Sequence, residues 1–144
     1  MYYFFVGLKN FRKAADRQCG RIHGKERSQV LEIATAMQFD RELALSRVGG
    51  DEELLKEIAA LFLEDYPRTL EEISLAIQQR DSHAIERSAH GLKGSVANFG
   101  AAQAVKAASA IENMGRNAQI EEAAMALKAL ELALAALHLQ LEAL

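Results

Sequence analysis

The chain has 144 residues, 17 basic and 20 acidic side chains, half of its residues hydrophobic, one Pro, one Cys and no Trp. That length suits a single domain with one core, and an Ala/Leu-rich apolar fraction with few aromatics favours helix over sheet. The lone Cys19 excludes an internal disulfide and a Cys-based zinc cluster, and suits a reducing compartment.

The charge is unevenly spread. Residues 1–27 carry seven basic and two acidic side chains, whereas residues 28–144 carry ten basic and eighteen acidic ones. An acidic body argues against nucleic-acid binding, which needs a basic face. The opening run Tyr2-Tyr3-Phe4-Phe5-Val6-Gly7-Leu8 is too short to span a bilayer and has no charged flank before it, so no signal peptide and no membrane association are expected. The expected location is cytoplasmic.

In chain order, residues 1–27 show no sustained period and read as an irregular or partly helical basic extension preceding the domain at 28–144. Short helices are predicted over Val30–Met37 and from Asp40 to about Val48, the second stopped by Gly49-Gly50. Asp51-Glu52-Glu53 opens a long helix with its acids at the positive end of the dipole. Leu55, Ile58, Phe62, Tyr66, Leu70, Ile73 and Ile77 continue one apolar stripe through Pro67, which predicts a kinked helix near Leu63 and not two helices. Asp81 is the N-cap of a helix that turns Ile85, Ala89, Leu92 and Val96 inward and stops at Gly100. Ala101 to about Met114 forms another, with Gly115 as its expected stop. In the last helix, from about Gln119 onward, Ile120, Leu127, Leu134 and Leu141 recur every seven residues, as do Ala123, Leu130, Leu137 and Leu144. Four substantial helices with short connections predict an all-α, antiparallel up-down-up-down four-helix bundle with one or two short N-terminal helices.

One segment carries chemistry. At about 100° per residue, Leu92, Val96 and Phe99 face the core, while His90 points outward among Glu86, Arg87, Lys93, Gly94 and Ala97. Gly91 and Gly94 each cost an exposed helix about 1 kcal/mol relative to Ala. Bare backbone on both sides of an outward histidine lets another protein's surface reach the ring.

The run His90-Gly91-Leu92-Lys93-Gly94-Ser95, with Gly100-Ala101 after it, resembles the histidine-containing phosphotransfer (HPt) domains of phosphorelays. The flanking blocks Arg47-Val48-Gly49-Gly50-Asp51-Glu52-Glu53-Leu54-Leu55, Leu61-Phe62-Leu63-Glu64-Asp65 and Ile111-Glu112-Asn113-Met114-Gly115-Arg116 resemble the same family, over about residues 39–117. The resemblance implies a phosphocarrier. His90 would accept a phosphoryl group from a receiver-domain aspartate and pass it to another receiver. Lys93 would offer a cation to the phosphoryl oxygens, and Glu112 would accept the proton of the other ring nitrogen, with Arg116 supporting it. Glu86, Arg87, Gly94, Ser95, Ala97 and Arg116 would form the docking surface. The implied partners are response-regulator receiver domains and a hybrid sensor histidine kinase; no intrinsic cofactor or metal is expected, Mg2+ coming with the receiver.

Other readings compete. A lone surface histidine is usually only solvated, and Glu112 has an ordinary i+4 partner in Arg116. A helical module that binds or inhibits receivers without chemistry is the main alternative. An autophosphorylating kinase would need a glycine-rich phosphate loop or acidic ATP-binding box, and neither occurs in the sequence. His23, His83 and His138 read as exposed, His83 being placed to line the docking surface. On the last helix Met125, Leu132 and Leu139 form a second apolar stripe, expected to be covered by the N-terminal extension or by a second copy of the chain in a homodimer.

Overall fold

The computed structural model describes residues 39–144. The expectations for the 1–27 extension, the Val30–Met37 helix, Cys19 and His23 lie outside the described residues. Those described form five helices and no strands: α1 (Arg41–Arg47), α2 (Glu52–Gln78), α3 (Ser82–Ala97), α4 (Ala102–Arg116) and α5 (Ile120–Glu142).

The starts of the first three helices follow from the sequence. Asp40, Asp51 and Asp81 cap α1, α2 and α3, their carboxylates accepting from the backbone N–H of Leu43, Leu54 and Ala84 at 3.0, 3.1 and 3.0 Å. Such caps contribute on the order of 1 kcal/mol each. Pro67 lies inside α2 without dividing it; a buried face of Leu55, Phe62, Tyr66 and Ile73 carries the helix past the hydrogen bond that Pro67 cannot make. The turn at Arg80 closes α2 in a Schellman pattern, with Asp81 N–H donating to the Ala76 carbonyl at 2.9 Å. Asp81 therefore ends one helix and caps the next.

The four long helices pack in a ring, α2 on α3, α3 on α4, α4 on α5 and α5 back on α2. Short turns force each to reverse its predecessor, giving the expected up-down-up-down bundle. Its core holds Ile73, Ile85, Val96, Phe99, Ile111, Leu130, Leu134 and Leu137, all at most 1% exposed. Burying each such side chain contributes roughly 1.5–3 kcal/mol. Phe62 and Phe99 meet at 5.1 Å between ring centres, locking the first half of α2 to the turn that follows α3. There Gly100 takes a left-handed φ of +61°, and a Cβ on it would come within 2.7 Å of the Asp40 side chain. Asp40 N–H donates to the Phe99 carbonyl at 3.0 Å, fastening α1 to this turn.

Two expectations are corrected. Gly115 does not stop α4 but lies buried inside it. A Cβ there would sit 2.6 Å from the backbone nitrogen of Glu86 and 3.0 Å from its Cα, so α3 and α4 touch backbone to backbone at this point. The helix ends one residue later, at Arg116, and the turn after it has Ala118 at φ +56° and Gln119 N–H donating to the Met114 carbonyl at 2.8 Å. His138 is not an exposed residue: its side chain is 16% accessible. It sits on the inner edge of α5, where Nδ1 meets the Tyr66 hydroxyl at 2.8 Å and Nε2 meets Glu142 Oε1 at 3.1 Å. With Tyr66 O–H donating to Nδ1 and Nε2–H donating to the carboxylate, the neutral ring satisfies both nitrogens. Burial, with Glu142 nearby, pushes the Tyr66 hydroxyl up to about 12.

On α5 the heptad seam packs inward, Leu127 and Leu144 only partly. Length and composition alone would let this helix cross a bilayer, yet its seam is committed to α2 and α4. Met125, Leu132 and Leu139 are exposed among the described residues.

Candidate functional site

His90 stands mid-way along α3 with 68% of its side chain accessible. Its inward neighbours Ala89 and Leu92 are buried in the core, which holds the helix face rigid and leaves the ring outside. From α4, Glu112 reaches across with only 5% of its side chain accessible, the one buried charged residue among those described. His90 Nδ1 lies 2.8 Å from Glu112 Oε1. A carboxylate accepts and cannot donate, so Nδ1 carries the hydrogen, and among the described residues none engages the Nε2 lone pair.

The same carboxylate gathers two cations. The Lys93 ammonium donates to Glu112 Oε2, and Arg116 Nη2 lies 3.3 Å from Oε1. Hydrogen bonds from Lys93 and from His90 hold the Glu112 carboxyl below the usual carboxylate range, outweighing the opposing effect of burial. Arg116 also donates from Nε to Glu86 Oε1 at 2.9 Å, and this bond raises the guanidinium further. Glu86, His90, Lys93, Glu112 and Arg116 thus form one network across α3 and α4. Lys93, expected to offer a cation to phosphoryl oxygens, has its ammonium on Glu112 in the structure.

The remaining expected residues divide. Gly91 and Gly94 are open: a Cβ at either would meet nothing within 4 Å. No contact among the described residues demands glycine at either position. Ser95 is exposed and its hydroxyl donates to the Gly91 carbonyl at 3.2 Å, so it serves its own helix. Arg87 is exposed and outside the network. His83 is exposed, with Nδ1 3.8 Å from Glu86 Oε2. Ala97 lines a shallow, mainly apolar groove with Leu43, Val105, Lys106, Ser109 and Asn113. Of the residues expected to form the docking surface, only Ala97 lines this groove, which extends toward α4 and α1. Leu43, Val105 and Lys106 escaped the sequence reading because their proximity to Ala97 arises only on packing.

On this four-helix bundle the exposed His90 imidazole is oriented by a buried carboxylate of the adjacent helix. The sequence model of the Hpt domain matches residues 57–142, more than half of the chain, and the chain belongs to that family of histidine phosphocarriers. The fold is also that of a crystal structure of histidine-containing phosphotransfer protein B (HptB) from Pseudomonas aeruginosa PAO1. The two superpose with a TM-score of 0.68 at 21% identity, covering 72% of this chain and 90% of that one. No curated protein matches the chain in sequence.

Proposed function

We propose that this chain is a phosphorelay intermediate whose His90 Nε2 takes a phosphoryl group from a receiver-domain aspartate and hands it to a second receiver. The observation that carries the reading is the 2.8 Å contact of His90 Nδ1 with buried Glu112, beneath a ring that remains exposed. The Nε2 lone pair forms the bond to phosphorus as the aspartyl C–O–P link breaks at its O–P bond, the carboxylate leaving with the bonding pair. The ring becomes cationic, and Glu112 stabilises that charge through Nδ1–H. Because this transition state is loose, positioning and charge complementarity do most of the work.

Receivers would dock over the α3–α4 face, His90 at one end and the groove around Ala97 at the other. A hybrid sensor histidine kinase is the upstream source proposed for the phosphoryl group, the chain itself using no ATP. Resident Mg2+ fits poorly beside His90, since both Glu112 oxygens are already engaged and Glu86 is paired with Arg116. The metal is assigned to the receiver.

The test is incubation with a phosphorylated receiver. The wild-type chain is expected to gain an acid-labile, base-stable phosphoryl group, and His90→Gln to gain none. Labelling that persists in the variant would move the acceptor elsewhere.

A further inference from the structure

Building on the phosphocarrier reading, we infer that Glu86 is a positioning residue of the site: it keeps the Arg116 guanidinium beside Glu112 while His90 is bare and yields it to the phosphoryl group once Nε2 carries one. The geometry is compact. Glu112 Oε1 takes both His90 Nδ1 at 2.8 Å and Arg116 Nη2 at 3.3 Å, so a single oxygen atom separates the guanidinium from the ring. Arg116 Nε meanwhile donates to Glu86 Oε1 at 2.9 Å. Nor is this a loose surface pair. Gly115, next to Arg116, lies against the backbone of Glu86, which fixes the origin of both side chains.

The charges balance before the reaction. Two carboxylates, Glu86 and Glu112, face two cations, Lys93 and Arg116, around a neutral ring. A phosphoryl group adds about −1.5 to −2. Lys93 is committed to the buried Glu112, whereas the Arg116 side chain is 56% accessible and has five donors to distribute. It keeps its Glu112 contact and trades Glu86 for phosphoryl oxygens. Glu86 is released on the side of His83, whose Nδ1 lies 3.8 Å from its second oxygen. Glu86 therefore competes with the phosphoryl group for one guanidinium and shortens the life of the charged carrier.

The experiment uses the full chain phosphorylated with phosphoramidate, a small donor that needs no partner protein. Loss of phosphohistidine to water is then followed: a water oxygen bonds phosphorus, the Nε2–P bond breaks, its electron pair returns to the ring and inorganic phosphate leaves. Glu86→Gln should slow this loss about threefold, the scale of one partly exposed charge pair. Arg116→Ala should accelerate it, and the double variant should match Arg116→Ala alone. A purely structural role for Glu86 would shift the melting temperature and act whether or not Arg116 is present. An unchanged lifetime in Glu86→Gln, or an effect that survives in the Arg116→Ala background, overturns this inference while the carrier reading stands. Absence of any phosphoryl group on wild-type His90 overturns both.

Discussion

Two histidines divide the bundle between them. His90, between α3 and α4, has an exposed ring and a buried carboxylate partner; His138, between α5 and α2, has a half-buried ring and a carboxylate partner, Glu142, that is 43% accessible. The first spends one nitrogen on its scaffold and keeps the other free. The second spends both, one on Tyr66 and one on Glu142. The same pair of residue types leaves one ring nitrogen open in the first case and bridges two helices in the second. Proximity of a histidine to an acid therefore says little until the free nitrogen is located.

The sharpest way to break this contrast is to remove the buried partner. Glu112→Ala leaves Nδ1 without its acceptor and Lys93 without its counter-charge, and transfer to and from a receiver should fall by about tenfold to a hundredfold. Glu112→Gln keeps an acceptor oxygen and should fall less, as rapid-quench transfer rates would show. Next is the backbone contact that sets the spacing of α3 and α4. Gly115→Ala drives a methyl group into the backbone of Glu86 and should cost about 1–3 kcal/mol in chemical denaturation, with transfer slowed as His90 and Glu112 draw apart. On the other side of the bundle, His138→Gln should lose about 1–2 kcal/mol of stability while still taking label on His90; loss of labelling there would erase the distinction between the two histidines.

The smallest effects separate the regions by pH. Glu112 has its carboxyl lowered by the fold, so its contribution is present above the ordinary value of 4.5 and fades as pH falls through the lower folded value. Tyr66 is raised from 10.0 to about 12, so the folded state is favoured below 10 and loses that advantage as pH climbs through about 12. In stability curves Glu112→Gln should flatten the acid limb and Tyr66→Phe the alkaline limb. Interchanged effects would contradict the partners assigned here.

The sequence was most readable where physics is local. The Asp81 cap, the inward row of α3 and the heptads of α5 each depend on neighbours within a few turns, and the structure keeps all three. The outward setting of His90 was legible for the same reason, while its pairing with Glu112 came from the family resemblance. What depended on packing was hidden. A glycine near a helix end looks alike whether it terminates the helix or admits a neighbouring backbone, and Gly115 does the second. His138 gave no sign of Tyr66, which lies 72 positions away. Lys93 was placed one turn from His90, but only the burial of Glu112 between the helices shows where its ammonium goes.

The proposed use of Nε2 also bears on timing. A cargo carried on one atom in the middle of a helix can be exchanged with only one visitor at once, because giver and taker need the same approach. Traffic through such a carrier alternates, and a crowd of either visitor, charged or not, becomes an obstacle to the other.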